Sequence, residues 1–165
     1  MEQGSGAAVG PRLPLPSVDC TALPQIVARF RQAVGGPVEV RELVALADHA
    51  TLYTYDARRP DELTTYKYQN GTVTVGSQKH AIPAELTYTV PFDGLDSKAL
   101  AHACADAHHH APVPAAAIEI VDSQIKAGPV LHWMVWYLLP NGERDGRSEY
   151  DAQGNFVKPW PASPP

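Results

Sequence analysis

Histidine and its usual companions crowd one short stretch, where His102, Cys104, Asp106, His108, His109 and His110 follow one another closely. Imidazole and carboxylate suit a borderline metal such as zinc, and side chains three or four residues apart share one side of a helix. His102, Asp106 and His109 are therefore the candidate metal ligands. The plainer reading is a solvated helix end, where partly charged imidazoles favour the C-terminal dipole. Aromatic residues form the second concentration. Tyr53 and Tyr55 share one face of a predicted strand, Tyr66 and Tyr68 a face of the next, and Trp133 and Tyr137 a face of a later one, with His132, Met134 and Trp136 on its reverse. Tyr and Trp dominate interface energetics, so Tyr53, Tyr55, Tyr66, Tyr68, Trp133, Trp136 and Tyr137 are candidate partner contacts. The plain alternative is that they fill a sheet core.

Catalysis finds little support. Neither Gly-x-Ser-x-Gly, nor His-Glu-x-x-His, nor a phosphate-cradling glycine loop occurs. Glu119 with Asp122, or Asp145 with Glu149, could be posed as acid and base, but each fits a solvent-facing strand or turn better. Cys20 sits where a helix should begin, a place that stabilises a thiolate. The chain is expected not to be an enzyme and to need no cofactor.

The elements that must position these residues follow from an internal recurrence. Leu13-Pro14-Leu15-Pro16-Ser17-Val18-Asp19-Cys20-Thr21-Ala22-Leu23 returns as Val90-Pro91-Phe92-Asp93-Gly94-Leu95-Asp96-Ser97-Lys98-Ala99-Leu100. In each copy the prolines force extended backbone, and Asp19 or Asp96 can then cap a helix, with Val18 or Leu95 as the apolar staple. The helix stripe Leu23, Ile26, Val27, Phe30, Val34 corresponds to Leu100, Ala103, Cys104 and Ala107. That register places Cys104 inward and sets His102, Asp106 and His109 opposite Gln25, Arg29 and Gln32, on the solvent side. Ser97 stands opposite Cys20, which marks a tolerant cap position rather than a nucleophile.

Beyond each helix the period changes to two. Strands are expected from Val38, over Thr51 to Asp56, over Leu63 to Gln69 and over Thr72 to Val75, with Asn70-Gly71 a strong hairpin signal. Glu85 to Val90 leads into the second copy, where Ile118 to Ile125, Val130 to Leu139, Arg144 to Tyr150 and a segment around Phe156 and Val157 read as strands. Leu131 to Leu139 is apolar on both faces, so its second face needs a cover: the sister copy, a second subunit or a partner. The expected fold is α+β, two tandem α-β-β-β repeats with helices on one face of antiparallel sheet. Residues 13–83 form the first repeat and 84–158 the second, sharing one core, between a disordered leader over 1–12 and a Pro-rich surface tail over 159–165.

Charge and composition narrow the partners. Thirteen basic against eighteen acidic residues among 165 give a formal charge of -5, too acidic for a broad phosphate-binding footprint, so nucleic acid is not expected. No apolar run approaches the ~20 residues of a membrane span. Met1 to Arg12 lacks the cationic start and apolar stretch of a signal peptide. The chain as it stands reads as cytoplasmic, or as periplasmic or secreted if a signal peptide has been removed. Two cysteines do not make a disulfide framework, and compartment is not read from them.

The helix-then-meander plan closes on Ser148-Glu149-Tyr150-Asp151-Ala152-Gln153-Gly154-Asn155-Phe156-Val157. This strand, Asp-Ala-x-Gly, strand pattern resembles the final hairpin of PepSY-type domains, and the tandem arrangement is similar to the beta-lactamase inhibitor protein architecture. The resemblance implies a small bacterial binding or inhibitory module without catalytic residues. The expected function is a noncatalytic module that binds a protein or peptide. The alternatives are a metal-binding protein built on the His-rich helix and a structural domain that pairs with itself as a homodimer.

Overall fold

A computed structural model describes residues 15–56, 58–79 and 88–160. Asp19 turns the chain into a 3-10 turn over Cys20–Ala22, its carboxylate accepting from the amide of Thr21 at 3.0 Å, and α1 (Leu23–Val34) continues from it. Pro24 lies in the first turn, where no amide is missed, and Gly35 ends the helix in a left-handed conformation at φ 70°. Asp96 performs the same service for α2 (Ser97–Ala107), accepting from the amides of Lys98 and Ala99. Four strands follow α1: β1 (Glu39–Leu46), β2 (Ala50–Asp56), β3 (Arg59–Gln69) and β4 (Thr72–Lys79). The short β5 (Val90–Pro91) precedes α2, and β6 (Ala117–Lys126), β7 (Val130–Leu138), β8 (Arg144–Asp151) and β9 (Phe156–Trp160) follow it.

All nine strands belong to one antiparallel sheet, in the order β4-β3-β2-β1-β6-β7-β8-β9, with β5 beside β1. This corrects the expectation of two tandem α-β-β-β repeats. The molecule is dominated by a single continuous sheet carrying two helices, rather than divided into two repeats. Recurrent helix caps describe only the chain's local habits; the sheet is fixed by long-range pairing. β1 joins β6 through Val44 with Asp122, Ala45 with Val121 and Leu46 with Ile120. The extended segments ahead of the helices also cross over. Val18 donates its amide to the carbonyl of Ile118 in β6, whereas Val90 and Pro91 pair with β1. The expected boundary at 83 and 84 lies outside the described residues, as does the first half of the expected segment Glu85 to Val90.

Both helices lie on one face of the sheet. Leu23, Val27 and Phe30 of α1 and Leu100, Ala103, Cys104 and Ala107 of α2 are buried with Leu43, Leu52, Tyr66, Ile118, Val121, Trp133, Val135, Tyr137 and Tyr150 in one core cluster. Strict alternation from Val38 would have put Val40 and Val44 on one side. A bulge between Val40 and Glu42 shifts the phase, so Val40, Leu43 and Ala45 are the residues buried under the helices. Trp133 and Tyr137 are fully buried on this face, and the Tyr137 hydroxyl donates to the carbonyl of Ala107 at 2.7 Å.

The turn after β8 shows why its glycine is required. Gly154 has φ 84°, and a Cβ there would stand 2.6 Å from the carbonyl oxygen of Ala99 at the start of α2. Asp151 organises the same turn by accepting from the amides of Gln153 and Asn155. The chain beyond does not leave the sheet at Pro159: β9 runs through it to Trp160, because the missing amide of a proline is tolerated on an edge strand. Cys20 and Cys104, 84 residues apart, form a disulfide between the entry to α1 and the inner side of α2.

Candidate functional site

Strand registers divide the seven candidate aromatics between two faces. Tyr66, Tyr68, Trp133 and Tyr137 stand on the helix side, where Tyr68 meets the edge of the Phe30 ring at 6.5 Å. Tyr53, Tyr55 and Trp136 stand on the opposite face, which carries no helix among the described residues. That face also has buried side chains. Tyr55, Leu63 and Met134 are buried, yet lie outside the core cluster under the helices.

Cross-strand pairing assembles the rest of the open face from residues far apart in sequence. Trp136 on β7 pairs with Arg147 on β8, which pairs with Trp160 on β9. The Arg147 guanidinium lies between the two indoles, 4.5 Å from the ring of Trp136 and 4.6 Å from that of Trp160. Lys158 covers Trp160 at 4.1 Å. Each indole is also held at its N–H. Trp136 donates to Asp122 at 3.1 Å and Trp160 donates to Glu149 at 2.9 Å. Rings fixed at both face and edge have little rotamer freedom left to lose on binding.

The two carboxylates that hold them differ in charge state. Glu149 is buried on this face, and burial alone would favour its neutral form. Donors from Lys126 at 2.9 Å, from Trp160 and from His132 outweigh that and bring its pKa down to about 2. Asp122 has one indole donor. Burial pushes it up to about 6, assisted by the negative charge of Glu42. Glu42 is itself raised by burial, against the pull of Arg41. One end of the face is thus a saturated ionic anchor, and its centre holds two partly desolvated acids between Tyr53 and Trp136.

Other candidates are less assembled. His102 and His109 are exposed, while Asp106 accepts from the Tyr150 hydroxyl at 2.8 Å and meets His110 at 3.2 Å. His110 stacks on Phe156 at 3.8 Å. Among the described residues no group of three His, Cys, Asp or Glu side chains is placed to hold a metal. Glu119 pairs with Arg144 at 2.6 Å, so it does not converge with Asp122. A cleft of about 1310 Å³ opens past the C-terminus of α1, but most of its charges pair with one another, Arg31 with Asp93 and Arg58 with Asp56 at 2.6 Å, and Glu39 accepts from the Thr89 hydroxyl at 3.0 Å. The Arg58 hydrogen bond holds the Asp56 carboxyl down to about 2.

No family model, curated protein or solved structure matches this chain. The site therefore rests on its own geometry. Sequence reasoning missed Arg147 and Trp160, because their meeting depends on the register of β8 with β9, and it posed Asp122 and Glu149 as half of acid and base pairs. The available signal was the two-residue phase: Arg147 and Glu149 face the same way, as do Lys158 and Trp160. No helix among the described residues is long and apolar enough to cross a membrane.

Proposed function

We propose that the chain is a noncatalytic protein-binding module whose open sheet face, from Tyr53 across Trp136 and Arg147 to Trp160, is the contact surface. The observation that carries this reading is the Trp136–Arg147–Trp160 stack, held at both indole N–H groups on the side of the sheet away from the helices. A strand face that served only to meet water would not need such rings, whereas rigid Trp and Arg side chains are the residue types that dominate interface energetics. The carboxylates nearby support binding rather than turnover: Glu149 is saturated with donors, and among the described residues no base and nucleophile converge on one point. The Cys20–Cys104 disulfide fits a protein that folds where thiols are oxidised.

The test is a comparison of variants in capture and cross-linking from the host of the chain. Wild type and a His102→Ala/His109→Ala variant should retain one defined complex, and Trp136→Glu or Arg147→Glu should lose it. A complex indifferent to both open-face substitutions would overturn the reading, as would capture of nothing but the chain itself.

A further inference from the structure

Among the described residues β4 and β9 end the main strand order of the sheet, and they differ in how they are protected. β9 is five residues long, includes Pro159 and Lys158, and is offset from β8 by an irregularity between Glu149 and Tyr150. All three features discourage pairing. β4 has no proline and no irregularity, and its single lysine, Lys79, is its last residue. It is eight residues long, its pairing with β3 is continuous from Gln69–Thr72 to Glu62–Lys79, and Thr72 to Gln78 carries no charge and no proline. Seven of its eight residues are exposed, and no described strand pairs with its outer side.

Hairpin geometry shows which backbone groups are presented there. Asn70 and Gly71 form a two-residue turn with φ 53° and 79°, so the flanking pair Gln69 and Thr72 is hydrogen-bonded, and bonded pairs then alternate with non-bonded ones. Thr72, Thr74, Gly76 and Gln78 direct their N–H and C=O groups to β3. Val73, Val75, Ser77 and Lys79 direct theirs outward. Val75, in the middle of that row, is 61% exposed, the highest value among the exposed large apolar side chains of the described residues.

We propose that β4 is a dimerisation edge, where a second copy of this chain adds its own β4 antiparallel about a two-fold axis at Val75. In that register each Val75 covers the other, Val73 lies opposite Ser77, and Lys79 lies opposite Gly71, whose carbonyl accepts from Arg29, so like charges approach only at the exposed ends of the seam and none meet along Thr72 to Gln78. An isologous contact must be self-complementary in this way. The neutrality of Thr72 to Gln78 lets two copies, each with a formal charge of -5, approach here without a charge conflict in the strand itself. The contact is a strand pair with one apolar centre, smaller than a standard interface, and sets a reversible dimer with a Kd on the order of micromolar to millimolar. It lies beyond β3 from the Trp136 stack and is independent of the partner-binding reading.

Sedimentation equilibrium on the full chain, from about 1 μM to about 1 mM, tests this. Wild type should pass from monomer to dimer. Val75→Pro removes an outward N–H while leaving every bond to β3, and should weaken dimerisation at least about tenfold. Val75→Lys should do the same by opposing two ammonium groups at the axis, and mixing it with Val75→Glu should restore a dimer. Val157→Lys, on the β9 edge, should leave wild-type association intact, and amide exchange at Val75 and Ser77 should slow as concentration rises. The proposal is overturned if the chain stays monomeric throughout, if dimers survive both Val75→Pro and Val75→Lys, if the Lys and Glu variants do not pair, or if Val157→Lys abolishes association.

Discussion

Two carboxylates on the same sheet face respond to pH in opposite directions, and each can be isolated. Glu149 has its folded-state pKa brought from 4.5 down to about 2 by Lys126, Trp160 and His132 acting against burial. Its contribution is complete above about pH 4.5 and is lost as pH falls toward 2. Glu149→Gln keeps the shape but removes the charge-assisted bonds, and should cost about 2 kcal/mol at pH 7. In urea unfolding, the gap between variant and wild type should narrow steadily below pH 4.5; a gap constant with pH would show that the charge contributes nothing. Asp122 has the reverse sign. Burial raises its pKa from 3.8 to about 6, so its ionised form is the unfavourable one, and stability falls as pH rises between those values. Asp122→Asn removes that proton uptake. It should be more stable than wild type at pH 7 and lose the advantage near pH 4, which thermal melts across that window would register.

At the scale of elements the disulfide is the strongest single tie between the helices. Cys104 is fully buried against α1, Cys20 is half-buried at the 3-10 turn, and the loop they close spans 84 residues. Closing a loop of that length restricts the unfolded chain by about 4.5 kcal/mol in the entropic treatment. Reduction should therefore lower the melting temperature by roughly 10 °C, and a Cys20→Ser/Cys104→Ala variant should melt with the reduced protein and ignore added thiol. An unchanged melt under reduction would mean that the helices dock without it. The bond was not legible in the sequence: the repeat register put Cys104 inward, but it set Cys20 opposite Ser97 and gave no reason for two distant cysteines to meet. Locally coded features were legible. Asn70-Gly71 names its own hairpin, and Asp19 and Asp96 name their caps, because each depends on a few neighbouring backbone groups. The bulge after Val40 was not, since one extra residue reverses the alternation from which strand faces are read. Trp160 was assigned to a surface tail because Pro159 precedes it, whereas an edge strand accommodates that proline.

Over the whole molecule, the two faces of one sheet do different work, and β7 samples both within a few residues. Trp133 and Tyr137 belong to the core under the helices; Trp136 is half-buried between Asp122 and Arg147 on the other side. Alternation in the sequence separated these residues into two sets but did not say which set the helices cover, because Leu131 to Leu139 is apolar throughout. Energetics should separate them. Trp133→Ala empties a site of fully buried indole and should cost about 3 to 5 kcal/mol. Tyr53→Ala, on the open face and half-buried, should cost about 1 kcal/mol or less. The prediction is read from denaturant midpoints at constant m-value. Comparable losses in the two variants would mean that the open face is a second core whose aromatics serve stability, and the case for a contact surface would fall with it. A large loss at Trp133 with a small one at Tyr53 would instead leave the open-face aromatic without a structural role equal to its size, the pattern expected where side chains are kept for what they touch outside the fold.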